Sequence, residues 1–426
     1  MTAEVYIANR YALVLAADSA STVSDGPAKE RYYKGANKIF QLSNYQPVGV
    51  MIHASGALQG LPWETIVKAC RTALGNQEFD TLNLYADFLE SFIRTNLTEV
   101  FTSARREQHF TQLVATQVNL LRSHLLNLDA VKNAPKVEDL KRELAAELAV
   151  IEANITARSL PNQFSPSEEA EGLAAASPTL KPVFQAMSLD HPLAAGATWG
   201  EAVEIDKMLL IANRMVFLRV DDILPSTGVV VAGFGKQEFF PRYIHLEYRG
   251  FLRDLFCCRT VKDEQLSPDD VSAIVPFAQT AMSETFLFGV SPEVLRFVDE
   301  ATSTCIDNVA NALSGGAPLP ANWDGQKADL AEKHKEAWVK KAVDAHWSPL
   351  SKIVASLPVP DLAILAETLV ALTSLKERVT VGTETVGGAV DVASITKGDG
   401  FIWIKRKHYF DPALNPRYFS SLPLRR

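Results

Sequence analysis

The sequence predicts an α+β protein in which two antiparallel sheets pack face to face and carry helices on their outer sides. Three observations lead there. Hairpin-like pairs of short apolar runs open the chain, at residues 4–17 and 38–54. Further pairs lie near the middle, at 228–248, and near the end, at 389–405. Between them run stretches with the 3.6-residue apolar spacing of amphipathic helices, so strands and helices come in blocks and not as the alternating units of a parallel sheet.

The first pair is Glu4 to Ala8 and Ala12 to Ala17, with the polar Asn9-Arg10 as its turn. Its second run is apolar at every position, as a strand covered on both faces is. Residues 21–35 are polar, include Asp25-Gly26-Pro27, and read as a loop. Lys38 to Leu42 and Val48 to Ala54 form the next pair, turned by Asn44-Tyr45-Gln46-Pro47. Helical spacing follows at Ile66/Ala69/Cys70, at Leu84/Phe88/Phe92/Ile93 and at Leu140/Leu144/Leu148/Ile151. Residues 158–195 are rich in Pro, Ser and Ala and read as a linker. Strand signals return at Lys207 to Val220, Gly228 to Ala232 and Tyr243 to Tyr248. The stretch 252–350 reads as mostly helical, and Asp361 reads as the cap of a helix carrying Leu362, Leu365, Leu369 and Leu372. Ala389 to Ile395 and Phe401 to Lys405 close the chain as strands around Lys397-Gly398-Asp399-Gly400.

Composition excludes several function classes. With 426 residues, 47% hydrophobic and 22% charged, the chain can bury a sizeable core. A net charge of -8 and the lack of a long Lys/Arg block argue against a nucleic-acid face, and Lys405 to His408 reads as a solvated strand end. Cys70, Cys257, Cys258 and Cys305 make no disulfide framework. No apolar run approaches the roughly 20 residues of a membrane span, and no leader pattern opens the chain, so a cytoplasmic location without membrane contact is expected. Gly233 to Gln237 lacks the flanking residues of a phosphate loop, Cys257-Cys258 lacks zinc-ligand spacing, and no Gly-x-Ser-x-Gly elbow is present. No cofactor or metal is expected.

Three segments share a known pattern. Thr2, Val14-Leu15-Ala16-Ala17-Asp18 and Lys38-Ile39-Phe40-Gln41-Leu42 resemble the start of proteasome β subunits, in the N-terminal-nucleophile (Ntn) hydrolase superfamily. Gly387-Gly388-Ala389-Val390-Asp391-Val392, with Asp399-Gly400-Phe401 after it, resembles that family's closing hairpin, and Val229 to Gly250 fits its central hairpin more loosely. The resemblance implies a four-layer αββα sandwich in one domain spanning 1–426, with its core at about 2–100, 205–250 and 358–410. Large, mostly helical insertions would fill about 100–200 and 252–350.

The resemblance also implies roles. Thr2, exposed by removal of Met1, would be the nucleophile. Its own α-amine, with an unperturbed pKa of about 7.7–8.0, would be the base. Lys38 would stabilise the alkoxide and Asp18 would pair with Lys38. Backbone N–H groups from His53 to Gly56 would form an oxyanion hole, and Thr22 would bind substrate backbone. His53 is open to a second reading, as a strand-borne wall of the cleft. The chain departs from the family where Thr383 and Val386 stand in place of the Asp and Ser that support the α-amine, with Glu384 beside the first. Ala20 replaces a basic residue, and the family's internal Ser-Gly pair has no clear counterpart among Ser348, Ser351 and Ser356.

Two functions follow as expectations. One is a threonine-type peptidase or amidase that cleaves peptide or amide bonds through an acyl-enzyme on Thr2. The other is a catalytically inactive relative, a structural or partner-binding protein. A homo-oligomer that screens the cleft is expected in the first case, and no motif identifies an unfoldase or regulatory partner. Intact-mass spectrometry is expected to give the mass of the chain without Met1; a retained Met1 would leave no N-terminal nucleophile.

Overall fold

The computed structural model describes residues 2–24, 30–194, 196–315, 317–380, 387–408 and 410–416. The strands are β1 Ala3–Asn9, β2 Ala12–Ala17, β3 Ala20–Ser24, β4 Glu30–Lys34, β5 Ile39–Gln41, β6 Val48–Ala54, β7 Ala57–Leu58 and β8 Leu61–Pro62. Later come β9 Thr227–Gly233, β10 Arg242–Leu252, β11 Leu255–Gln265, β12 Ser272–Ala278, β13 Asp391–Thr396 and β14 Gly400–Lys405. Helices α1 Trp63–Leu74, α2 Leu82–Asn96, α3 Ser103–Asn127, α4 Asp129–Lys132, α5 Val137–Thr156 and α6 Pro166–Ala186 follow the first strands. They are joined by α7 Trp199–Ala202, α8 Ile205–Leu218 and α9 Val220–Ile223. Between β12 and β13 lie α10 Ala281–Phe288, α11 Pro292–Ser314, α12 Trp323–Ala342, α13 Ser348–Val354 and α14 Val359–Thr380. Contacts divide the chain into two compact units, one of residues 1–93, 227–247 and 259–426, the other of 94–226 and 248–258.

The first unit holds two five-stranded sheets, ordered β12-β1-β2-β13-β14 and β11-β10-β9-β6-β5. β1 pairs antiparallel with both β2 and β12, and β2 with β13, so the closing hairpin completes the sheet that the opening hairpin begins. Asn9 makes the first turn: its Oδ1 accepts from Tyr11 N and Ala12 N, while its amide donates to the carbonyls of Val354 and Leu357. Alternation then sorts the side chains. Ala3, Val5 and Ile7 face Leu362, Ala366 and Leu369 of α14. Tyr6 and Ala8 face Met51, Val230 and Tyr243 of the second sheet. The two sheets therefore share one core, and α14 covers the outer side of the first, as the apolar run of β2 predicts. α1 lies against β5, burying Trp63, Ile66, Val67 and Cys70. Among the described residues no helix is long and apolar enough to cross a membrane.

Several elements differ from the sequence reading. The polar loop at 21–35 carries the antiparallel pair β3–β4. On α2 Phe92 and Ile93 are buried as expected, together with Leu82, Tyr85, Ala86 and Leu89, whereas Leu84 is exposed. The stretch 252–350 is not mostly helical at its start, because β11 and β12 lie within it. β12 carries Pro276, which it tolerates as an edge strand, where a missing N–H need not cost a ladder bond. Asp361 lies inside the first turn of α14 and does not cap it.

The second unit is helical. Phe110, Leu144, Phe184, Trp199, Met208 and Phe217 lie in its core, and the Leu140/Leu144/Leu148 stripe points into it rather than outward to another chain. Arg214 fastens this core, donating to both carboxylate oxygens of Glu169 and to the carbonyls of Ile155, Thr156 and Arg158. Two misreadings fall here. Lys207 to Val220 is mostly helix α8 and not a strand; Ile205, Met208, Leu209, Ala212 and Val216 follow helical spacing, but burial of Ile211 and Phe217 as well fills in the pattern. The supposed linker 158–195 contains α6, with Pro178 and Pro182 inside it.

A capping box starts that helix: Ser165 Oγ accepts from Glu168 N at 3.3 Å and Glu168 Oε2 accepts from Ser165 N at 2.6 Å. Replacing Ser165 by Ala is expected to cost about 1 kcal/mol locally. Amide hydrogen exchange in the first turn of α6 should accelerate about 5-fold, while exchange in the sheets stays unchanged.

Candidate functional site

Period-2 alternation places Thr2 and Glu4 on the same inward face of β1 as Tyr6. The Thr2 backbone is pinned from the β12 side, its carbonyl accepting from Gln279 N at 3.0 Å. Directly after β2, Asp18 N donates to the Ala3 carbonyl at 3.1 Å. Its carboxylate is then surrounded by donors. Oδ1 accepts from Ala3 N at 3.1 Å and from Lys38 Nζ at 2.5 Å. Oδ2 accepts from Gly387 N at 2.9 Å and Ala20 N at 3.4 Å. Lys38 stands just before β5, where its carbonyl accepts from Ile52 N. All four side chains, of Thr2, Glu4, Asp18 and Lys38, are buried.

Lys38 has a second carboxylate beside it: its Nζ lies 3.6 Å from Glu4 Oε1. Burial raises the Glu4 pKa to about 8; Lys38 pulls it down, Asp18 pushes it up, and the nearby Thr2 hydroxyl lowers it. Proximity to Thr2 stops short of a formed hydrogen bond. The Thr2 hydroxyl and both Glu4 carboxyl oxygens are buried without a hydrogen-bond partner among the described residues. The expected Asp18–Lys38 pair is thus present, while the Thr2 hydroxyl has no bond to Lys38.

His53 ends β6 on the same inner face. Its Nε2 meets His245 Nε2 at 3.0 Å, and both rings pack on Phe277. Burial, then His245 and more weakly Lys38, lower the His53 pKa to about 4, with Glu247 opposing; burial likewise lowers that of His245. Gly228, opposite His53 in β9, makes room for the ring, since a Cβ there would meet His53 Nε2 at 2.0 Å. The strand ends at Ala54, whose φ of 65° turns the chain into Ser55 and Gly56. Gly56 accepts from Trp63 N at 3.1 Å and is not joined to Thr2, Asp18 or Lys38 by a hydrogen bond. Thr22 lies on β3 opposite Tyr32, and its side chain is outside the described part. Thr383, Glu384 and Val386 are also outside the described residues.

Sequence reasoning missed Glu4 and His245. Glu4 was legible as a charge two residues from Thr2 in an otherwise apolar strand, and His245 as a polar break between Tyr243 and Glu247 on one strand face. Cys70 and Cys257 are buried thiols, with pKa values pushed up by burial to about 12 and about 11. Among the described residues no cluster of three or more His, Cys, Asp or Glu side chains could hold a metal.

No protein-family model matches the chain, and no curated relative matches it. Among solved structures the chain is similar to the Gly-1 mutant of Anbu from Hyphomicrobium sp. strain MC1. Identity is 9% and the TM-score 0.28, over 100% of this chain and 96% of that one. A likeness of that size carries no argument about function.

The glycines before β13 have a steric reason. Gly387 offers its N–H to Asp18, and Gly388, at φ +85°, would bring a Cβ within 2.4 Å of Ser19 Oγ. Gly388→Ala is expected to cost about 1–3 kcal/mol from strain and overpacking, read as a lower urea midpoint at unchanged slope. Gly56→Ala, with nothing within 4 Å of the added carbon, should stay within about 0.5 kcal/mol of the parent.

Proposed function

We propose that the chain is a proteasome-like Ntn hydrolase of αββα architecture that cleaves peptide or amide bonds through Thr2 after loss of Met1. One observation carries this reading: a buried lysine is held at 2.5 Å by a buried aspartate and lies 3.6 Å from Glu4, whose carboxyl neighbours a threonine hydroxyl with no hydrogen bond among the described residues. Burying a charge pair costs several kcal/mol per ion before any attraction is counted, and a hydrophobic substitute would often be as stable. A fixed ammonium next to an unengaged hydroxyl supplies what such a nucleophile lacks, a positive charge where negative charge develops.

In the proposed reaction the Thr2 α-amine accepts the hydroxyl proton as Oγ attacks the substrate carbonyl. Lys38 neutralises the growing charge on oxygen. The C–N bond then breaks, the leaving amine takes the proton, and an ester remains on Thr2. Water hydrolyses that ester and returns the hydroxyl. Asp18 acts through Lys38, and the N–H groups it binds, of Ala3 and Gly387, keep the carboxylate in place. The turn from His53 to Gly56 is the proposed oxyanion hole, and Thr22 the proposed contact for substrate backbone. A homo-oligomer that screens the cleft belongs to this reading.

A second reading, a catalytically inactive structural or partner-binding relative, is favoured by one fact: Thr2 is only 7% exposed. The two readings separate on a single experiment. Protein lacking Met1 is treated with a β-lactone and digested, and the modified residue is located by mass spectrometry. Acylation of Thr2 is expected in the parent and its loss in Thr2→Ala; Lys38→Met should slow it by about 100-fold or more. An unmodified Thr2 in folded, Met-processed protein would leave the inactive reading standing.

A further inference from the structure

The Thr2 pocket holds one ammonium and two carboxyl groups. Lys38 lies 2.5 Å from Asp18 and 3.6 Å from Glu4, and none of the three is more than 5% exposed. Asp18 is satisfied four times over by donors, whereas both Glu4 oxygens are buried with no hydrogen bond among the described residues. While the Thr2 nitrogen carries no charge, ionising both carboxyls would leave the cluster an uncompensated buried negative charge, which a low-dielectric interior disfavours strongly. A proton on one of them removes it, and the unsatisfied carboxyl is the one to hold it.

We propose that Glu4 is a positioning residue that stores one proton beside Thr2 and, when it loses that proton, takes Lys38 as an ion-pair partner and keeps it from turning to the Thr2 hydroxyl. The inference rests on the reading of Thr2 as nucleophile and deepens it. While Glu4 is neutral, Lys38 answers to Asp18 alone and its remaining N–H bonds are available to the Thr2 oxygen. Once Glu4 is charged, Lys38 is shared between two carboxylates, and the α-amine of a mature Thr2 is held protonated and cannot act as base. The groups facing Glu4 are Thr2 on its own strand, Asp18 after β2 and Lys38 before β5, with His53 of β6 on the far side of Lys38. Burial has already moved the Glu4 pKa to about 8, which puts the change near neutral pH.

Two measurements on the Met-processed chain test this, each comparing the parent with Glu4→Gln, an isostere of the protonated acid. The first is the pH profile of Thr2 acylation by a β-lactone. In the parent the rate should fall above about pH 8, and Glu4→Gln should lack that fall, so that the ratio of variant to parent rises about 10-fold between pH 7 and pH 9. Glu4→Asp should restore a falling limb. The second is the pH dependence of unfolding in urea. Glu4 takes up its proton in the folded state below about pH 8 but, when unfolded, only below its ordinary value of 4.5. Between these values the folded form binds the extra proton, so the folding equilibrium of the parent should weaken by up to ~10-fold per pH unit as pH rises, relative to Glu4→Gln. Identical acylation profiles in parent and Glu4→Gln would overturn the proposal. If Thr2 is not acylated at any pH, the proposed hydrolase function fails by itself; the urea comparison then decides whether Glu4 stores a proton, and equal slopes would overturn that as well.

Discussion

An ammonium group with almost none of its surface in water has to find its neutralising charge inside the protein, and Lys38 finds it in Asp18 at 2.5 Å. That pair ties together segments far apart in sequence. Asp18 binds the N–H of Ala3 in β1, of Ala20 at the start of β3, and of Gly387 ahead of β13. Lys38 belongs to the other sheet, so the ion pair also bridges the two layers at one end of the sandwich. Removing Lys38 would leave Asp18 a buried charge with no cation, a loss of about 3–5 kcal/mol, whereas removing Asp18 would leave Lys38 to Glu4 at 3.6 Å. Residues 3, 20, 38 and 387 are thereby gathered around one carboxylate.

Much of this end of the molecule was legible because its constraints are local and periodic. The opening and closing hairpins announced themselves by short apolar runs and by the Asn9-Arg10 and Lys397 to Gly400 turns, and the structure places them in one sheet, β2 against β13. Thr2, Asp18 and Lys38 were recognisable by type and spacing; Asp18 and Lys38 pair at 2.5 Å, and the Thr2 hydroxyl neighbours Glu4. Glu4 was read as part of the first strand but given no role, because the sequence does not say which face of that strand is buried. Only the register of β1, with Glu4 opposite Ala17 and Phe277, puts it inside.

The misread segments fail for a different reason, which is competition between signals. In α6 two prolines and several serines outweigh the Ser165/Glu168 box that starts the helix, yet packing of Ala176, Leu180 and Phe184 settles the matter. Apolar residues occupy nearly all sides of α8, because α3, α5 and α6 surround it, and an all-round apolar helix loses the stripe that betrays a helix. β12 carries a proline that only its edge position can accommodate. Each case turns on what lies alongside the segment, and a single chain read in order does not contain that.

The pair α11 and α12 has a different kind of consequence. Neither helix buries a single side chain; Phe297 and Leu313 are exposed, and the pair is joined through Asp307, which accepts from Trp323 Nε1 and Lys327 Nζ. Helices gain most of their stability from packing an apolar face, since intrinsic propensity alone leaves isolated ones marginal. In the isolated chain these two helices are therefore expected to open at less free energy than the buried sheets, and limited proteolysis should reach α11 and α12 before the strands.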